Sequence, residues 1–500
     1  MNERNKPPIR RAPEKRGSAG RGSAPGGARR RADVPERRDN AYGAGRDHAR
    51  HDRSAHAPAE RHDSEGVDPT TEAAALGVIP KTEALPRRRS LTNVGGGVET
   101  SGDRAMAQVL AHALDVAPSM DEGAEDRAHV HGFHAYPARA HPVTVRRLIE
   151  DLVPPGGTVL DPFCGSGTVL VEAMLAGRAT IGSDLNPIAV MLARAKTFPR
   201  GQEKTAALVE AACGVADYAD ARRKAKSGAS RRLPQEDVSL FPPHVLLELD
   251  GLRAGIAEAP PEMRPELALV LSSILVKLSP RRGDTSEAPV EKRIAAGYPS
   301  RLFVRKTEEL ARRFDDFATL LRNAGAASPH ARVYEDDATV LRKVRGASID
   351  AVITSPPYVA TYDYLQHHEL RMRWLGLDAR KLARGEIGAR RNYERLSAKN
   401  AMASWEGELG KLFHSLARVM KKGAPLVLLI ADSAAGRGPG GERAEPIRAD
   451  DVVARVAEQG GELAPIARAS QARPHFHGPT RSAFTEARPR FEHALLLRRS

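Results

Sequence analysis

The chain has 500 residues, room for two or three folded units at roughly 100–200 residues each. Of these residues 41% are apolar and 4% aromatic, and no apolar run reaches the ~18–20 residues of a membrane helix; the best, from Leu267 to Leu278, already contains Lys277. The net charge is +14, of which residues 1–50 supply +8, so the basic excess points to a polyanionic partner and sits largely in one tail.

In chain order, residues 1–100 are rich in Arg, Gly, Ala, Pro and Ser and show no apolar periodicity. Such a stretch buries too little surface to offset its chain entropy and is expected to be disordered. Its runs Arg29–Arg31 and Arg37–Arg38 would serve as a salt-sensitive tether for nucleic acid. The opening residues lack the apolar segment of a secretory signal, and neither Cys164 nor Cys213 belongs to a CxxC. A cytoplasmic setting, nucleoid-associated when bound to DNA, is the expectation.

From about residue 101 the pattern becomes ordered. Val143–Leu152 reads as an amphipathic helix closed by Pro154, Pro155, Gly156 and Gly157. A short apolar strand, Thr158–Leu160, then enters a glycine-rich turn, and the helical run Val169–Ala176 stops at Gly177. Ala179–Gly182 reads as a second strand ending at Ser183 and Asp184. Strand, turn, helix and strand within ~30 residues make the βαβ unit of a doubly wound parallel sheet.

Residues 200–330 interrupt that rhythm. Their periodicity predicts helices over Thr205–Lys226, Pro243–Ala257, Pro265–Leu278 and Phe303–Asn323, with basic clusters between them. The stretches Lys277–Asp284 and Lys292–Lys306 are candidates for gripping phosphates. Strands resume at Ala331–Tyr334, Ile349–Ile353, Ala424–Ile430 and Phe491–Leu497. The sheet is therefore split by a mostly helical insert.

Two constellations carry chemistry. The first runs from Asp161 to Thr168, DPFCGSGT, at a strand end, where Gly165 and Gly167 allow a tight turn and close approach of a ligand. A dinucleotide fingerprint would need glycine where Leu170 stands, and the Lys of a phosphate loop is absent. Asp184, at the end of the second strand, suits ribose hydroxyls. A nucleoside without a phosphate cradle fits best, and S-adenosylmethionine matches, with its cationic amino-acid portion near Asp161.

The second constellation is Thr354–Tyr358, TSPPY, straight after an apolar strand. Paired prolines make a rigid turn, so Ser355 and the carbonyl of Pro356 point in set directions, and Tyr358 offers a flat ring. That equipment suits a planar exocyclic amine, whose lone pair is delocalised into its base. Acceptors at Ser355 and Pro356 would bind the amino hydrogens, and Tyr358 would stack on an extruded base. The following segment, Tyr362 to Arg373, adds aromatic and basic groups for base or strand contact.

DPFCGSGT followed by TSPPY resembles the amino-methyltransferases that make N4-methylcytosine or N6-methyladenine in DNA. The resemblance implies a class I methyltransferase with a Rossmann-like sheet in two parts, 101–199 and 331–500, the 200–330 insert being a candidate target-recognition element. It implies S-adenosylmethionine at Asp161, Phe163, Gly165, Gly167 and Asp184, and the target base at Ser355, Pro356, Pro357 and Tyr358. An acidic residue after the third strand meets the adenine amine in such enzymes, which gives Asp336 or Asp337. The family's Lys-Pro before the first motif reads His141-Pro142 here. The serine form of the second motif favours cytosine N4 over adenine N6, and the rival is an RNA base-amine enzyme such as a guanine-N2 methyltransferase.

A C5-cytosine enzyme is set aside because the chain has no Pro-Cys, and Cys164 reads as packing. His475 and His477 lack a suitably spaced carboxylate or cysteine, so no metal is expected. Arg481, Arg488 and Arg490 are candidates for the nucleic-acid side.

Overall fold

In the computed structural model the residues described are 79–80, 97–116, 125–281, 283, 289–325, 331–435, 444–473, 483–485 and 488–500. They fall within one compact unit, Arg61–Ser500. The expected arginine tether, His475, His477, Arg481 and part of the Lys277–Asp284 stretch lie outside the described residues.

The strands are, in order, β1 (Ile79–Pro80), β2 (Val98–Gly102), β3 (Thr158–Asp161), β4 (Ala179–Asp184), β5 (Lys292–Arg293) and β6 (Ala331–Glu335). Then follow β7 (Ala351–Thr354), β8 (Pro425–Ala431), β9 (Ser433–Ala435), β10 (Glu445–Ile447), β11 (Leu463–Arg473) and β12 (Arg490–Arg499). Eight of them form one sheet in the order β2-β11-β12-β8-β7-β3-β4-β6. The pairs β3–β4, β3–β7, β4–β6 and β7–β8 are parallel, whereas β8–β12, β12–β11 and β11–β2 are antiparallel. This is the expected doubly wound α/β sheet. Its topological switch lies between β3 and β7, and ligands of such sheets bind outside the carboxyl ends of the strands at that point.

The central strands are near-continuous apolar runs because helices cover both their faces. Leu160, Ile181, Val352, Leu426 and Leu428 pack with Trp405, Leu409, Leu412 and Phe413 of helix Ala398–Val419. Their neighbours Val159, Ile353, Val427 and Leu429 turn to the opposite face, against helices Arg104–Leu114 and Pro142–Leu152. Alternation along each strand thus divides the core into two layers.

Two sheet members escaped the sequence reading. Strand β2 crosses the expected boundary at residue 100, because Val98–Gln471 and Gly102–Ala467 pair it to β11. Strand β11 is rich in Ala and Arg, contains Pro465 and shifts register between Pro465 and Ala467, which hides its period. The expected strand Ile349–Ile353 begins instead at Ala351, with Ile349 making an isolated bridge to Met420.

The segment between β4 and β6 is helical over Gln202–Lys224, Pro243–Glu258, Arg264–Leu278 and Tyr298–Asn323. These helices share one apolar cluster with Val171, Met174, Ile188 and Leu192 beside the sheet and with Leu370, Met372 and Trp374. Lys292, in a stretch read as a phosphate grip, turns inward. Its ammonium donates to the carbonyls of Val276 (3.1 Å), Lys277 (3.0 Å) and Arg281 (2.8 Å), which caps helix Arg264–Leu278. No helix among the described residues is long and apolar enough to cross a membrane.

Candidate active site

Asp161 ends β3, and the turn after it is held by its own backbone. Cys164 N–H donates to the Ser183 carbonyl at 3.0 Å, and Gly167 N–H to the Cys164 carbonyl at 2.7 Å. Gly165 and Gly167 have φ of +49° and +89°, the left-handed region that favours glycine. A Cβ on Gly165 would meet the Tyr136 ring at 3.1 Å, and one on Gly167 would meet Ala193 Cα at 3.2 Å. Gly167→Ala is therefore expected to destabilise the fold by roughly 1–3 kcal/mol, through backbone strain and crowding of helix Pro187–Lys196. A urea titration reads this directly; an unchanged midpoint would show that the turn relaxes without cost.

Asp184 closes the turn from the neighbouring strand. Its carboxylate accepts from Gly165 N–H (2.9 Å) and Asn186 N–H (2.8 Å). Asp161 accepts from Phe163 N–H (3.1 Å) and from the Thr354 hydroxyl (2.6 Å). That last bond ties the end of β3 to the end of β7, so the two sequence motifs meet at adjacent strand ends. Burial pushes the Asp161 carboxyl up to about 7, against the Thr354 and Phe163 hydrogen bonds. Burial likewise pushes Asp184 up to about 6.

These residues open onto one cleft, whose empty space together with its open mouth is about 830 Å³. Asp161, Phe163, Gly165, Asp184, Asp336, Asp337, Ser355 and Pro357 all line it; Gly167 shapes the turn behind it. Pro356 is buried, and Tyr358 is half-buried with its ring 6.4 Å from that of Tyr362. Burial, then the Glu492 carboxylate, pushes the Tyr358 phenol upward. Asp336 has both oxygens engaged, by the N–H groups of Asp337 (3.0 Å) and Lys343 (2.9 Å). Asp337 engages Oδ1 with Thr339, and its Oδ2 faces Gly385 across the cleft lining. Both acids expected after the third strand thus line the cleft. Cys164 is buried among Leu170, Val190, Ala193 and Val333, and burial raises its thiol well above the usual range, in keeping with packing.

Two lining segments carried no signal that the sequence reading recognised. One is the strap before helix Pro142–Leu152, which brings Tyr136, Ala138, Arg139 and Ala140 to the cleft. His141 caps that helix, its Nδ1 accepting from Val143 N–H at 3.3 Å, so the cleft is met by the residues just before His141-Pro142. The strap holds three non-glycine residues at positive φ, His129 (+35°), His134 (+67°) and Ala138 (+54°). Surrounding bonds maintain that strain. His131 Nε2 lies 2.7 Å from Glu172 Oε1, and Arg139 Nη1 donates to the His131 carbonyl at 2.5 Å. His134 Nδ1 donates to the Ala135 carbonyl (2.8 Å), which leaves Nε2 to accept from Ser272 (2.9 Å). The other segment supplies Leu382, Gly385, Glu386 and Ile387.

A model of the DNA methylase family matches residues 115–194, from the strap through the glycine-rich turn. Type II methyltransferase M.MvaI of Kocuria varians is 26% identical over 267 residues, covering 49% of this chain and 58% of that protein. Type II methyltransferase M.BsoBI of Geobacillus stearothermophilus is 26% identical over 284 residues, 51% of this chain and 54% of that one. The match thus spans little more than half the length of these two curated relatives. Among solved structures, the rRNA methyltransferase aviRa from Streptomyces viridochromogenes overlaps at 18% identity and a TM-score of 0.28, covering 71% of this chain and 98% of that one. The overlap in shape is loose. With the family model lying across the strap and the first motif, and TSPPY bonded to that motif through Thr354 and Asp161, the chain is similar to the N4/N6 amino-methyltransferases.

Proposed function

We propose that this protein methylates the exocyclic amine of a base in DNA, cytosine N4 in preference to adenine N6. The observation that carries the reading is the Thr354–Asp161 hydrogen bond, which sets Ser355 and the glycine-rich turn on one cleft. The family description and the type II relatives support DNA as substrate. The serine of TSPPY supports cytosine.

S-adenosylmethionine, the cofactor of this family, supplies an electrophilic methyl group on a sulfonium. The cleft fits it on its own donor set: two buried carboxyls suit a cationic ligand, and no lysine of a phosphate loop is present. Asp184 would hold the ribose hydroxyls, Asp161 and the Gly165 turn would hold the amino-acid portion, and Phe163 and Asp337 would serve the adenine. Arg139, a guanidinium within the lining, would supply the counter-charge for the carboxylate end.

The target amine is bound by Ser355 Oγ and the Pro356 carbonyl, which accept its hydrogens and favour a pyramidal nitrogen. Tyr358 stacks on the base. Catalysis of this kind is positioning plus electrostatics, with no covalent enzyme intermediate. The test is labelled methyl transfer to duplex DNA and to bulk tRNA in parallel, with digestion and chromatography of the product base. N4-methylcytosine in DNA is expected. Label confined to tRNA would replace the proposal with an RNA base-amine activity.

A further inference from the structure

The stretch from the end of helix Tyr364–Leu375 into the first turn of helix Ala398–Val419 has two distinct faces. Its inner face joins the cleft through Leu382, Gly385, Glu386 and Ile387. It is also bonded to the residues right after the TSPPY turn. Ala360 N–H donates to the Gly388 carbonyl (3.0 Å), and Arg390 N–H donates to the Tyr362 carbonyl (2.8 Å). Glu386 accepts from Tyr364 N–H at 2.7 Å, and Arg391 pairs with Asp363 (2.8 Å) and Glu386 (2.6 Å). A Cβ on Gly388 would lie 3.1 Å from the Pro357 carbonyl oxygen, so the backbone sits directly on the motif.

The outer face is cationic. Residues 380–399 hold seven basic and two acidic residues, a net of +5 in a chain whose total is +14. Arg380, Lys381, Arg384, Arg395 and Lys399 are exposed. The pairs Arg380–Asp378 and Lys381–Glu335 are surface pairs, which bind weakly and exchange readily for a stronger anion. The helical insert differs. There Lys292 is turned onto carbonyls, Arg231 lies against buried Asp237 and Asp250, and Asp237 also holds Arg373.

We propose that the outer face of Arg380–Lys399 grips the phosphodiester backbone of the strand that carries the target base. The inference rests on the nucleic-acid reading above and moves the main electrostatic contact from the insert to this rim. A base seated at Tyr358 keeps its flanking phosphates within about one nucleotide of it. The rim is the basic surface bonded to the residues just past that tyrosine. Phosphate contacts of this kind position the strand without reading its sequence.

The test compares two triple variants of the full chain. One is Arg384→Gln with Arg395→Gln and Lys399→Gln on the rim. The other is Lys224→Gln with Lys226→Gln and Arg232→Gln, three exposed charges of the insert. Anisotropy of a labelled duplex is followed from low to moderate salt, with cofactor affinity and melting temperature as controls. The rim triple is expected to weaken binding by about ten-fold or more and to flatten the slope of log K against log salt by about three. The insert triple is expected to change that slope by less than about one. A wild-type slope in the rim triple, or an equal loss in the insert triple, overturns the proposal, as does a wild-type protein without salt-dependent affinity. Should label appear only in tRNA, the function above fails while the same slope measured on tRNA still decides the rim.

Discussion

Tyr358→Ala is expected to lower methyl transfer by about 10- to 100-fold while cofactor affinity stays within a few-fold. Stacking of a base on an aromatic ring is worth ~1–3 kcal/mol, and the alanine forfeits it at the reacting centre. The cofactor cleft should hardly notice, because Ser355 and Pro357 line it whereas the Tyr358 ring faces Tyr362. Tyr358→Phe separates the ring from its hydroxyl, which shares a hydrogen bond with Ser355. If the ring is what matters, the phenylalanine variant retains most activity. A parallel fall of turnover and cofactor affinity in the alanine variant would make Tyr358 a support of the cleft and remove its assigned role.

Cofactor affinity is expected to rise steeply with pH between about 5 and 7. Burial raises Asp161 to about 7 and Asp184 to about 6, so both carboxyls are largely neutral under mildly acidic conditions. A cationic ligand prefers them ionised. Each carboxyl that must lose its proton on binding weakens affinity by up to about ten-fold per pH unit below its own value. The sign for the unliganded fold is opposite. Both values lie above the ordinary carboxyl, so the unfolded chain gives up its protons first as pH rises from about 4 to 7, and the ligand-free protein loses stability over that window. Titration calorimetry across pH 5.5–8.5 checks the first statement, and thermal melts check the second. Asp161→Asn should remove the limb near pH 7 and leave the one near 6. Thr354→Val, which deletes a donor to Asp161, should move the upper limb to higher pH. An affinity flat from pH 5.5 to 8 would mean that the cofactor's charge is met elsewhere.

Much of the site was legible because its signals are local. A short apolar strand, a Gly-x-Gly turn and an acidic residue at the next strand end follow one another within 27 residues, from Thr158 to Asp184. TSPPY carries its meaning in five consecutive side chains. The strap is different: Tyr136 and Arg139 lie in a segment with neither helical nor strand period, and only its packing on Gly165 brings it to the cleft. The Leu382–Ile387 segment resembles any basic connection until the bond of Glu386 to Tyr364 is known. At Lys292 the basic cluster gave no direction, since composition cannot say which way an ammonium points. Strand β2 was silent because a sheet edge needs little apolar alternation and its partner β11 lies more than 350 residues along the chain, and β11 because Pro465 and the register shift beside it hide its period.

The sequence by itself determined the motifs at the strand ends, the alternation that makes a parallel sheet, and the helical character of the stretch that splits it. These depend on neighbours within a few residues, whose side chains and backbone preferences act at short range. Only the tertiary structure decided which groups share the cleft, which carboxyls are held near neutrality and which basic face looks outward. Those properties are set by burial and by partners far along the chain, as Thr354 stands 193 residues from the carboxyl it donates to.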